Sequence, residues 1–181
     1  VEFYPMHDRC LPEGTCGIYL GGGYPELHGP ELSANIAMKK ELRRVIDKGI
    51  PVMAECGGFL YLQETIEDDD GNEWEMLRVL PGKSRNEHKL RKFGYITISA
   101  EQDNVLCKAG ESIRGHEFHY WHSTNGGFDF MARKPKRDTK WSCMVATKRM
   151  AAGFPHIYFP ANPQFPANFI AATEHYKEEN K

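Results

Sequence analysis

The sequence predicts an α/β domain built on parallel strands. Two stretches carry that reading, and they share one form. Thr15–Leu20 is an apolar run that stops at Gly21, Gly22 and Gly23, with a helical pattern beyond it. Ile50–Ala54 is a second apolar run that stops at Glu55, Cys56, Gly57 and Gly58, with Phe59–Leu62 opening another helix. Apolar strands that end in turns and alternate with helices are the pattern of βαβ units. Open sheets of this kind bind ligands outside the carboxyl ends of their strands, which is where both glycine turns fall.

Length and charge narrow the class. A chain of 181 residues fits one domain with a real core. The formal net charge of −2 makes no general case for nucleic acid or an anionic membrane as partner. No apolar run approaches the roughly 20 residues of a membrane span. The five cysteines, Cys10, Cys16, Cys56, Cys107 and Cys143, are odd in number and form no C-x-x-C pair. That usage suggests free thiols in a reducing, cytoplasmic setting. The chain opens at Val1 inside an apolar stretch and reads as part of something longer.

In chain order, Val1–Met6 is the first candidate strand and His7–Gly14 a polar loop. Thr15–Leu20 is the second strand, and GGGYPELHGPEL follows it. Three glycines let backbone approach a ligand closely. The run is not a phosphate loop, because no G-K-[ST] follows. Pro30 fits the first turn of a helix and Gly49 its stop. Between them Met38, Leu42, Val45 and Ile46 form one apolar stripe, which leaves Lys39, Lys40, Arg43 and Arg44 to solvent. From Glu64 the character becomes β-rich. Asp68–Gly71 makes a turn. Short strand-like pieces follow at Trp74–Val79, Tyr95–Ser99, Gly115–Trp121, Phe128–Met131 and Ser142–Thr147. The basic run Arg133–Lys140 contains Pro135 and reads as a hairpin or exposed loop, with a docking patch for an anionic partner as the lesser reading. Phe154–Phe159 forms a last strand-like run, and Ala167–Lys177 a terminal helix.

Residues 50–62 carry the clearest chemistry. A strand, a sharp turn bearing one nucleophilic side chain, and a helix make a nucleophile elbow. A thiol there faces the positive end of a helix, which favours thiolate. The backbone N–H of Gly57 is placed to help bind an oxyanion. The bland alternative is a buried cysteine before a glycine turn, and this stretch alone does not separate the two. Such a thiol needs a base, and His156, on a late strand, is in a position to reach the elbow. GHEFHYWH at 115–122 is a second histidine-rich stretch. On a strand His116 and His119 point to opposite faces, which argues against a shared metal.

GGGYPELH, AECGGFLYL, GHEFHY and HIYF, in this order and spacing, resemble the glutamine amidotransferase domains of the cobyrinate and cobyrate amidotransferases. GHEFHY favours the cobyrinic acid a,c-diamide synthase branch, whose relatives amidate nickel-sirohydrochlorin. The resemblance covers nearly the whole chain. It implies a flavodoxin-like class I amidotransferase domain: a mostly parallel central sheet, helices on both faces and a β-rich insertion. Set against the resemblance, the chain is expected to start at about the family's second strand, with the first strand and helix and the synthetase domain outside it. By resemblance Cys56 is the nucleophile and His156 its base, with Gly22, Gly23 and Gly57 around the oxyanion and no metal. Glutamine is the substrate. ATP and Mg²⁺ belong to the synthetase domain, which uses the ammonia on a tetrapyrrole carboxylate. Many amidotransferases of the wider class carry a glutamate two residues after the histidine. Tyr158 stands there in this chain, so no third member of a triad is visible. A missing strand leaves a sheet edge that invites self-association. Two other readings stay open: another cysteine hydrolase on the same sheet, and a non-catalytic docking domain.

Overall fold

A computed structural model describes residues 1–90 and 92–180. The first residues form no strand. Tyr4 and Asp8 close a turn instead, with the Asp8 carboxylate accepting the Tyr4 N–H at 2.7 Å and the Tyr4 carbonyl accepting the Asp8 N–H at 2.9 Å. Pro5 inside this turn has no N–H for a ladder. The first strand, β1, is Ile18–Leu20. The expected single helix is two, α1 (Gly29–Ala34) and α2 (Ile36–Asp47). Asn35 interrupts them. Its side-chain oxygen accepts the Met38 N–H at 3.3 Å as an N-cap, and its amide nitrogen donates to the carbonyls of Pro5 (2.7 Å) and Asp8 (2.8 Å). Gly49, at φ +86°, ends α2 as the sequence predicts.

Met38, Leu42 and Val45 are buried as the stripe requires. Lys39 is not on the wet face, because it is only 2% exposed. Its ammonium donates to the Ser33 carbonyl (3.2 Å), the Glu75 carbonyl (3.2 Å) and the Glu75 carboxylate (2.9 Å). Those three partners match the three donors of a lysine, which is what makes the burial tolerable.

Strand β2 (Val52–Glu55) is buried along its whole length, and α3 (Gly57–Leu62) leaves it through Cys56. After α3 come β3 (Thr65–Glu67), β4 (Glu73–Glu75), β5 (Lys83–Asn86), β6 (Lys92–Ala100) and β7 (Ser112–His119). They are followed by β8 (Trp121–Ser123), β9 (Phe130–Arg133), β10 (Lys140–Cys143), β11 (Val145–Ala146), β12 (Met150–Gly153) and β13 (His156–Ile157). Helix α4, Gln164–Glu179, is longer than expected at both ends. The segment after β4 is not the strand expected through Val79. Its N–H groups at Leu77, Val79 and Leu80 bond the carbonyls of Tyr61 and Leu62 and so cap the end of α3. The Asp68–Gly71 turn joins β3 to β4, and the basic run joins β9 to β10 as a hairpin.

Among the described residues the strands make three sheets. One has the order β1-β2-β12-β11, with β1, β2 and β12 parallel and β11 antiparallel. The others run β10-β9-β6-β7-β13 and β4-β3-β5-β8. The two faces of β2 enter different cores. Val52 and Ala54 pack with Met38, Leu42 and Phe59 from α2 and α3. Met53 packs with Phe165 of α4 and with Ile96 and Ile98 of β6. The parallel layer thus has helices on both faces, and the antiparallel sheet shares the second face with α4.

Candidate active site

Cys56 closes β2 at φ +46°, ψ −106°, a conformation L-residues rarely adopt. Such a residue costs of order 1–3 kcal/mol. Helix α3 buries Phe59, Leu60 and Leu62 beside it. Each such side chain contributes about 1.5–3 kcal/mol, so any two offset the strain. The two glycines after the thiol are there because of a close approach. A Cβ on Gly57 would lie 2.5 Å from the Gly23 carbonyl oxygen, and one on Gly58 would lie 2.3 Å from that of Leu20. The Gly58 N–H donates to Gly21 at 3.0 Å. Gly57 is the first residue of α3, where an N–H has no acceptor within its own helix.

The structure brings Cys56, His156, Gly22, Gly23 and Gly57 to one place. Gly22, Gly23, Cys56 and His156 line a cavity of about 610 Å³, together with Glu55 and His116. Gly57 backs onto Gly23 from the side of α3. Gly22 faces the imidazole so closely that a Cβ there would lie 2.6 Å from His156 Cε1. His156 reaches the elbow from the antiparallel sheet, where β13 pairs with β7 and His156 stands opposite His116.

His156 is pushed up to about 10 from its ordinary 6.5. Its interaction with Cys56 is the largest cause and Glu55 the second, while burial works against both. Both contacts favour the imidazolium form of the ring.

Sequence reasoning missed Glu55. This carboxylate is 4% exposed. One oxygen accepts the Ile157 N–H at 2.9 Å. The other accepts the Tyr19 hydroxyl at 2.8 Å and lies 3.7 Å from His156 Nδ1. Burial first, then the charge of Glu55 and the hydrogen bond to it, push the Tyr19 phenol above its usual value and keep it a donor. The available signal was a charged residue closing an otherwise apolar run, directly before the nucleophile candidate.

The histidine-rich strand divides as its period dictates. His116 and Phe118 face the cavity of Cys56. Glu117 and His119 face away from it, toward Cys143 and Trp141. His119 Nε2 meets Glu117 at 2.9 Å and Nδ1 meets the Trp121 carbonyl at 2.7 Å, with the ring stacked 3.8 Å from Phe154. Among the described residues no three His, Cys, Asp or Glu side chains are placed to hold a metal ion.

Comparison with known proteins gives this geometry a family. The profile of the CobB/CobQ-like glutamine amidotransferase domain matches residues 1–164. A cobyrinate a,c-diamide synthase of Caldanaerobacter subterraneus subsp. tengcongensis is 42% identical over 161 residues, 87% of this chain and 35% of that protein. One of Salmonella typhimurium is 39% identical over 176 residues, 95% of this chain and 38% of its own. The chain therefore spans little more than a third of the length of these relatives. Among solved structures, a glutamine amidotransferase shares the fold with a TM-score of 0.61 at 18% identity, over 90% of this chain and 81% of its own. On the match over residues 1–164, the chain belongs to the CobB/CobQ-like glutamine amidotransferase domain family.

Proposed function

We propose that the chain is the glutaminase part of an ATP-dependent amidotransferase, with Cys56 as nucleophile and His156 as its acid and base. The observation that carries the proposal is the strained elbow that presents Cys56 into the cavity that His156 also lines. The sulfur, as thiolate, attacks the side-chain carbonyl carbon of glutamine. The oxyanion that forms lies toward the backbone N–H groups of Gly23 and Gly57. The His156 imidazolium gives its proton to the departing nitrogen, and ammonia leaves a glutamyl thioester. His156, now neutral, takes a proton from water as water attacks the thioester, and glutamate is released.

The relatives' names support a wider role. The ammonia would serve an ATP- and Mg²⁺-dependent synthetase region, and the acceptor would be the a and c carboxylates of cobyrinic acid. Nickel-sirohydrochlorin is the alternative acceptor, of the same chemical kind. Domain boundaries and a cytoplasmic site of action belong to the same proposal. A glutamine-analogue diazoketone tests its core. It should alkylate Cys56 alone among the five cysteines, with parallel loss of glutamine hydrolysis, and Cys56→Ala should abolish both. Near wild-type hydrolysis in Cys56→Ala would end the proposal.

A further inference from the structure

We propose that Glu55 is the carboxylate that positions His156, a task performed from the strand of the nucleophile and not from the strand of the histidine. The inference rests on the reading above that His156 serves Cys56.

The position two residues after His156 holds Tyr158, which is 57% exposed and offers no carboxylate. Glu55 instead reaches the histidine from the end of β2, directly before Cys56. Its buried carboxylate holds the strand of the base through the N–H of Ile157, the residue next to His156. The remaining oxygen is fixed by the Tyr19 hydroxyl and stands 3.7 Å from His156 Nδ1. That separation is an ion-pair distance, longer than a hydrogen bond. Glu55 thus acts twice: it sets the backbone that aims the ring, and its charge favours the imidazolium. The groups that face His156 are Cys56 at the elbow, Glu55 at the end of β2, His116 across β7 and the Gly22 backbone, with Tyr19 of β1 behind Glu55. Glu55 is the carboxylate among them. A purely structural Glu55 would tie β1 to β13 equally well without its charge, and this difference can be measured.

Glu55→Gln keeps an oxygen for the Ile157 N–H and a polar partner for Tyr19, and removes only the charge. The protein is labelled with ¹³C at histidine Cε1, and the His156 resonance is assigned with His156→Ala. In Glu55→Gln the His156 titration midpoint should fall by about one pH unit or more, since an ion pair at this distance shifts a pKa by that order. The kcat for glutamine should fall about tenfold or more with KM little changed, because the loss is in proton transfer. Glu55→Asp, which keeps the charge but draws it back by one methylene, should fall between the two. If Glu55→Gln does not fold, Glu55→Asp decides: a lowered midpoint supports the role and an unmoved one overturns it. An unmoved midpoint and unchanged kcat in folded Glu55→Gln overturn the positioning role alone. When the chain is joined to the region its relatives carry beyond it, a protein whose His156 titrates high but which does not hydrolyse glutamine overturns the glutaminase reading and leaves the Glu55–His156 pairing in place.

Discussion

On the mechanism proposed above, His156 is where one residue decides both turnover and pH response. Replacing it by alanine removes acid and base together, and general acid–base catalysis of this kind is worth roughly 10²–10⁴-fold. Glutamine hydrolysis in His156→Ala should drop by that order in a steady-state assay. The same ring carries a stability signature with a definite sign. Its folded value is raised to about 10 from 6.5. The stabilisation is therefore fully present below pH 6.5 and is lost as pH rises through about 10. Urea titrations of wild type and His156→Ala should differ most in the acid range and converge toward pH 10. Cys56 and the glycines are legible in the sequence because the turn that needs them leaves a local mark, and His156 through its place on a late strand and the family resemblance. Glu55 is not, because its partners Tyr19 and Ile157 lie 36 and 102 positions away. Only folding shows that a carboxylate beside the thiol also holds the histidine.

Among the elements, the break between α1 and α2 matters most for how the chain is held. Asn35 caps α2 and at the same time pins the N-terminal turn through two carbonyls. Loss of a cap alone costs about 1 kcal/mol, and two hydrogen bonds go with it here. Asn35→Ala should lower the unfolding free energy by about 1–3 kcal/mol in denaturant titrations, with glutamine hydrolysis unchanged at low temperature. The two strands leading into glycine turns, the Gly49 stop and the basic hairpin are all readable from apolar runs and turn residues. Strand β12 is not. Its sequence, Met-Ala-Ala-Gly, carries little strand preference, yet it lies beside β2 with Ala152 opposite Ala54. Small residues suit that crowded centre: a Cβ on Gly153 would lie 2.5 Å from the Met144 side chain. Lys39 misleads for the related reason that a helical pattern cannot reveal carbonyls arriving from another segment.

At the scale of the whole molecule, the chain holds the parts proposed above for releasing ammonia but no G-x-x-x-x-G-K-[ST] phosphate loop. Residues 1–181 by themselves should show no ATP hydrolysis, and weak or undetectable glutamine hydrolysis without the acceptor region. Joined to the remaining two thirds that its relatives possess, they should form an amide on a carboxylated tetrapyrrole from glutamine and ATP. Product analysis by mass spectrometry with ¹⁵N-amide glutamine checks this, and amide formation by residues 1–181 alone would contradict it. The placement of the pair has one more consequence. Cys56 stands on the parallel sheet and His156 on the antiparallel one, so the reaction straddles a seam between two layers. One strand step is about 3.3 Å, and a slide of that size along the seam would carry thiol and imidazole out of register. Turnover is in this sense a gauge of how the layers are aligned, and a body that grips both layers acquires a throttle without entering the cavity.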